Sequence, residues 1–375
     1  MSTSNHIQAT GAITGIRPNL GLDQGARSRH QTEMTAHQSA ARSLPSTWLA
    51  HRYDPGHDAI HFINAARPLR RTAPFLTDER LPAGEPMVVT RRDALAVAER
   101  RAPIHFILHS GYCCSTLLAN ALDRDGIASS FKEPVILNDV AGWRHRGAAP
   151  AQVGAVLDDA LTLLARPFGT DEASIVKPSN LLNGLASAML QLRPDAGCLL
   201  LYAPLPIFLG SIAAKGMWGR LWVRDLLAKQ LKDGIVDLGM SPEDIFLQTD
   251  LQVAAVGWLV QQQLFAALAS RWPDRVRTLD SEEMLARPAA AIAATGKLFR
   301  LALSDDDVRE IAGGAAFTHN AKSGEAYSRA DRKAAQRDAA AIHSEEIDRV
   351  VIWARAVAEA AGIELVLPQP LLFNC

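Results

Sequence analysis

A chain of 375 residues, 48% of them hydrophobic and with 25 glycines and 20 prolines, can bury one broad core and lies in the ordinary globular range. Its 39 basic and 40 acidic side chains nearly cancel, so composition argues against a nucleic-acid partner and leaves only local charge clusters to hold an anion. Four cysteines, at 113, 114, 198 and 375, follow no zinc or disulfide spacing, and the polar start lacks a signal-peptide pattern; both features predict a reducing cytoplasm.

Residues 1–44 mix Ser, Thr, Gly, His and Gln without periodicity and read as a loosely held tail. The stretch 45–100 is read as an N-terminal helical extension, with a short helix over 75–81 whose start is rich in Asp and Glu. At 104–109 a consecutive apolar run predicts the first buried strand, and a helix from 114 to 125 follows a Gly/Ser turn. Ser110, Gly111, Tyr112, Cys113, Cys114, Ser115 and Thr116 make up that turn and the helix start. A strand, a tight turn and a hydroxyl pair opening a helix form the layout of a phosphate-binding loop, because backbone N–H groups converge there on one anion. No Gly-Lys-Ser/Thr is present, so the ordinary ATP/GTP loop is not matched, and no strand-terminal Asp for magnesium is evident.

The alternation then continues. Helices are expected over 153–166 and 183–192, strands over 174–177 and 198–202, and a helix over 207–214. The uncharged run 196–214 is long, yet Pro204, Pro206 and Gly210 divide it into strand, turn and helix rather than a membrane span. Helices over 218–232 and 242–272 interrupt the pattern as a helical insertion, read either as a wall for a substrate or as a contact between copies of the chain. Trp258, Phe265 and Trp272 in that insertion are read as core rather than as a cofactor box. A strand at 276–279, a capped helix from Ser281, a Gly-Gly turn at 313–314, a charged loop over 319–332 and a final helix over 332–361 complete the body. Ile342, Ile347, Val350, Val351, Ala354 and Val357 are that last helix's expected apolar contacts, and the tail over 362–375 is expected to pack back on the body. Short buried strands alternating with helices predict an α/β fold with a mostly parallel sheet flanked by helices, its ligand beyond the strand ends where the loop after His109 lies.

These motifs, in this order, resemble the sulfotransferase-like group of P-loop proteins, over residues 104–361. The resemblance implies a P-loop nucleoside triphosphate hydrolase-like fold with helical insertions in a single domain over 45–361. It also implies transfer of a sulfuryl group from 3'-phosphoadenosine 5'-phosphosulfate, a co-substrate, to an acceptor hydroxyl, with no metal required. The loop 110–116 would hold the 5'-phosphosulfate. Tyr112 stands where the family has Arg or Lys, and Cys114 where it has Gly, which requires φ below zero at Cys114. His109 would supply part of the missing positive charge or, alternatively, satisfy a backbone group.

Within Phe131-Lys-Glu-Pro134, Glu133 is the implied general base, against the alternative of an exposed Lys132–Glu133 pair. Lys177 would stabilise charge on the bridging and sulfuryl oxygens. Ser179 and Asn180 would orient that lysine or cap the next helix. Ser211 matches the family's serine on the donor's 3'-phosphate, but its partner position is Ala203 rather than Arg. Lys322 is the best cation of a late basic loop, with Arg329, Arg332 and Lys333 in reserve or merely solvated. Cys113, at the helix start, is expected to have a lowered pKa; a Cys113–Cys114 disulfide is disfavoured because neighbouring cysteines close a strained ring. Two readings stand beside sulfuryl transfer: a P-loop enzyme with another phosphorylated donor, and a noncatalytic nucleotide- or anion-binding scaffold.

Overall fold

The computed structural model describes residues 44–372 apart from 83, 97–101, 167, 170, 236–237 and 320–328, with side chains in the last helix described from 342 onward. The expected tail over 1–44 therefore lies almost wholly outside the described residues, as does Lys322.

Among the described residues, eight strands form two sheets. β1 (Trp48–Asp54), β2 (Ala59–Asn64) and β3 (Met87–Thr90) make an antiparallel sheet in the order β1-β2-β3. β4 (Ile104–His109), β5 (Ala128–Lys132), β6 (Ala173–Lys177), β7 (Cys198–Tyr202) and β8 (Val276–Asp280) make the main sheet in the order β5-β6-β4-β7-β8, every pairing parallel. The fold is thus mixed α/β, with a parallel sheet flanked by helices and a small antiparallel sheet added before it.

The main sheet is buried on both faces at its centre, where β4 and β7 are apolar at consecutive or nearly consecutive positions. Phe106, Leu108 and Leu200 join one core with the N-terminal sheet and the helices Val135–His145 and Pro150–Leu164. Ile107, Leu199 and Leu201 join the other core with residues of the helices Ser115–Ala121, Leu205–Ala214 and Asp250–Arg271, and of the helix Arg329–Ala360. Successive residues of one strand feed opposite cores, as a period of two demands.

The extension expected to be helical over 45–100 instead carries the three strands β1–β3 together with two short helices, Arg67–Thr72 and Arg91–Ala96, and 75–81 is a turn. The insertion between β7 and β8 is helical as expected, but 242–272 is two helices, Pro242–Phe246 and Asp250–Arg271, because Thr249 opens the second with its own capping box. Asp250–Arg271 is long and apolar enough by length and composition to cross a bilayer, and 72% of its apolar window is buried in the fold. In the final helix Ile347, Val350, Val351 and Ala354 are buried, whereas Ile342 is 78% exposed and not a core contact. Leu367, Leu371 and Leu372 pack back on the body, and the Leu371 N–H donates to Thr278 O at 2.7 Å.

Strand order fixes where a ligand fits. The chain leaves β4 for the edge strand β5, returns to β6 beside β4, then crosses to β7 on the other side. Connections diverge at β4, and this switch point lies beyond the carboxyl end of the central strand, where the loop 109–116 sits.

Candidate functional site

His109 closes β4 and is buried. Its Nδ1 accepts the Gly111 N–H at 3.1 Å while Nε2 lies 3.0 Å from Pro178 O. A ring that accepts at Nδ1 carries its proton on Nε2 and is neutral, so His109 satisfies backbone groups and does not replace the missing cation. Ser110 is equally committed: its N–H donates to Leu201 O, its hydroxyl to Gly111 O, and its Oγ accepts the Ala203 N–H at 3.3 Å. That expected ligand contact ties β4 to β7 instead.

Gly111, at φ +93°, needs to be glycine twice over. The backbone is left-handed, and a Cβ would meet Trp222 at 3.3 Å and the Asn180 amide at 3.4 Å. Tyr112 follows at φ +52° and Cys114 at φ +61°. The requirement for φ below zero at Cys114 is therefore not met: the chain keeps a shape that glycine adopts freely and puts a cysteine in it, at about 1–2 kcal/mol of backbone strain. Cys113 and Cys114 are not joined in a disulfide. Cys113 is buried, and that burial pushes its thiol pKa up rather than down, despite the Ser115 and Gly111 backbone contacts. Ser115 and Thr116 lie buried in the first turn of the two-turn helix Ser115–Ala121. Tyr112 packs edge-on against Trp222 at 5.5 Å and Phe208 at 6.2 Å, and burial raises its hydroxyl pKa to about 12.

The other two predicted catalytic residues meet beside His109. Glu133 comes directly after β5 at φ +50°, and its N–H donates to Lys177 O at 2.6 Å, joining the ends of β5 and β6. The Lys177 ammonium donates to the Glu133 carboxylate, and His109 Nε2 lies 3.8 Å from the same Oε1. Side-chain exposure is 1% for Lys177 and 21% for Glu133, so the carboxylate is the wetter member of the pair. Lys132 is not its partner. That lysine is fully buried, donates to Arg71 O at 2.8 Å and Asn120 Oδ1 at 2.7 Å, and burial lowers its pKa to about 8. The alternative of an exposed Lys132–Glu133 pair is thereby excluded.

The side toward β7 is built differently. Ala203 is completely buried, with its carbonyl accepting the Trp258 Nε1–H at 2.9 Å. The place where the resemblance puts an arginine is core, its backbone carbonyl bonded to an indole N–H. The Ser211 hydroxyl donates to Ile207 O at 2.8 Å inside its own helix. Lys322 lies outside the described residues, and the side chains of Arg329, Arg332 and Lys333 are likewise not described. Trp258 and Phe265 are core, as expected.

Several residues at the site escaped sequence reasoning. The Asn183 amide donates to His109 O at 3.1 Å and to Gln261 Oε1 at 2.9 Å, while Gln261 donates to Ser110 O at 3.4 Å, so buried amides grip the root of the loop. Asn180 also reaches Ser110 O, at 3.5 Å, whereas Ser179 caps the following turn by accepting the Leu181 N–H. Phe75 places its ring 5.4 Å from Lys177 Nζ. Among the described residues no group of three or more His, Cys, Asp or Glu is placed to hold a metal ion. No family model matches the chain, and a search of curated proteins finds none similar to it in sequence.

Proposed function

We propose that the protein is a sulfotransferase-like P-loop transferase, moving a sulfuryl group from 3'-phosphoadenosine 5'-phosphosulfate to an acceptor hydroxyl. The observation that carries this reading is the meeting of Glu133, Lys177 and His109 at the carboxyl ends of three adjacent strands, beside a loop whose backbone is left-handed at Gly111, Tyr112 and Cys114. In the proposed reaction the acceptor oxygen bonds to sulfur as its proton passes to the Glu133 carboxylate. The bond from sulfur to the bridging oxygen breaks, its electron pair stays on the departing phosphate, and Lys177 meets that charge.

The ion pair gives this scheme an order. In the free protein the Lys177 ammonium is neutralised by Glu133. A phosphosulfate competes for the ammonium and releases the carboxylate to receive the acceptor's proton, so donor binding prepares proton removal. His109 holds the Gly111 N–H and the neighbouring Pro178 carbonyl, and is assigned as a positioning side chain rather than a proton carrier.

Glu133→Gln separates the roles. Turnover is expected to fall about a hundredfold or more, in the range for loss of a general base, while affinity for adenosine 3',5'-bisphosphate does not fall, because the lost carboxylate competed with the ligand for Lys177. Equal loss of turnover and affinity would contradict the assignment of Glu133 as base. The second reading, a noncatalytic anion or nucleotide binder, is favoured by one observation: the burial of Ala203 under Trp258 where a phosphate-binding cation is expected. It predicts binding without turnover for any acceptor. A preference for ATP or GTP over the bisphosphate in the same titration would instead indicate another donor.

A further inference from the structure

The N-terminal sheet reaches the site through one loop. Leu76 donates its N–H to Lys132 O at 2.7 Å and accepts the Val135 N–H at 3.2 Å, so its two backbone groups bracket Glu133 from the residue before it and the second residue after it. Glu133 itself is left-handed, at φ +50°, a conformation that costs a non-glycine residue energy and needs such outside bonds to persist. Next to Leu76, the Phe75 ring lies 5.4 Å from Lys177 Nζ, within the range in which an aromatic face attracts a cation.

Phe75 is only half-buried, unlike Leu76, which is fully buried. Its ring therefore lies at the boundary of the fold, over an ammonium that is itself 1% exposed. The loop is anchored from behind: Asp78 accepts from His51 at 2.6 Å and Arg52 at 2.5 Å, and Arg52 is bidentate on Asp139 at 2.8 Å for each bond. A strand of the N-terminal sheet, the turn that follows Phe75 and the helix Val135–His145 are thus tied to one another.

We propose that Phe75 is a positioning residue, its ring holding the Lys177 ammonium against Glu133 while Leu76 fixes the Glu133 turn, so that the N-terminal sheet is a working part of the site. The kinetic half of this inference rests on the sulfuryl-transfer reading; the geometric half does not. The test therefore uses two readouts on the full chain. Trace reductive methylation followed by mass spectrometry reports access to the Lys177 amine, and steady-state turnover of the adenosine donor reports catalysis.

Phe75→Leu, which keeps an apolar side chain of similar reach, is expected to raise the labelling rate of Lys177 about tenfold relative to Lys132, an increase that Phe75→Tyr does not show. The same leucine variant is expected to lower kcat about tenfold with donor affinity within about twofold, and Phe75→Tyr to restore kcat. A general loosening of the fold would instead raise the labelling of Lys132 along with that of Lys177 and lower donor affinity together with kcat. Labelling of Lys177 at the unaltered rate in Phe75→Leu overturns the proposal. If Lys177 becomes labelled as expected but the unaltered protein neither binds nor turns over the adenosine donor, the positioning role stands and the sulfuryl-transfer reading falls.

Discussion

Two halves of the same loop surroundings are built to different standards. On the side of β5 and β6, Glu133, Lys177 and His109 meet within hydrogen-bond or near-contact distance, and the turn that carries Glu133 is held by Leu76. Toward β7, Ala203 is sealed beneath Trp258, Ser211 spends its hydroxyl on Ile207, and Tyr112 packs among Phe208 and Trp222. The first side pairs titratable groups at strand ends. The second replaces expected charge with packing, which teaches that the Glu133–Lys177 ion pair is assembled without the cation clamp the family resemblance places beside it.

The sharpest way to break this contrast is to put the missing cation back. Ala203→Arg forces a guanidinium into a fully buried position walled by an indole, and is expected to cost more than about 4 kcal/mol, leaving little folded protein by circular dichroism. A folded variant with tightened donor binding would show that the β7 side can open to a phosphate after all. A smaller effect of opposite sign is expected from Cys114→Gly. Relieving the left-handed cysteine at φ +61° is expected to stabilise the fold by about 0.5–1 kcal/mol, part of the gain being offset by glycine's unfolded-state entropy, and to raise the denaturation midpoint. Ser211→Ala is the smallest change. Its hydroxyl serves its own helix, so stability is expected to move by less than about 0.5 kcal/mol and donor affinity by less than about twofold. A tenfold loss of donor affinity would return Ser211 to a phosphate subsite.

What the sequence made legible follows from how each strand is buried. β4 and β7 match the expected ranges 104–109 and 198–202 because their residues are consecutively apolar or nearly so. β5 left no such trace. Ser129, Ser130 and Lys132 are buried there through bonds to Glu172, Ala119 O and Asn120, none of which hydrophobicity reports. β1 was missed because a register shift between Ala50 and Arg52 breaks its alternation, and β2 and β3 were lost with it. At the site, Glu133 and Lys177 could be named only through the resemblance of the motifs that carry them, and their pairing is a product of strand order. β5 lies next to β6, not next to β4, and only that neighbourhood brings the two side chains together. His109 could be placed but not assigned, since the role of its ring depends on which backbone groups surround it. Phe75, Asn183 and Gln261 come from elements far apart in sequence and had no local signal of convergence.

Calorimetric titration of adenosine 3',5'-bisphosphate into the unaltered protein and into Lys177→Met tests most directly whether this strand-end pair serves an adenosine donor. The unaltered protein is expected to bind, and the variant to bind at least about tenfold more weakly with its fold intact, since a charge-assisted contact is worth about 1.5–3 kcal/mol. No binding by the folded, unaltered protein, or equal binding by both, would contradict it.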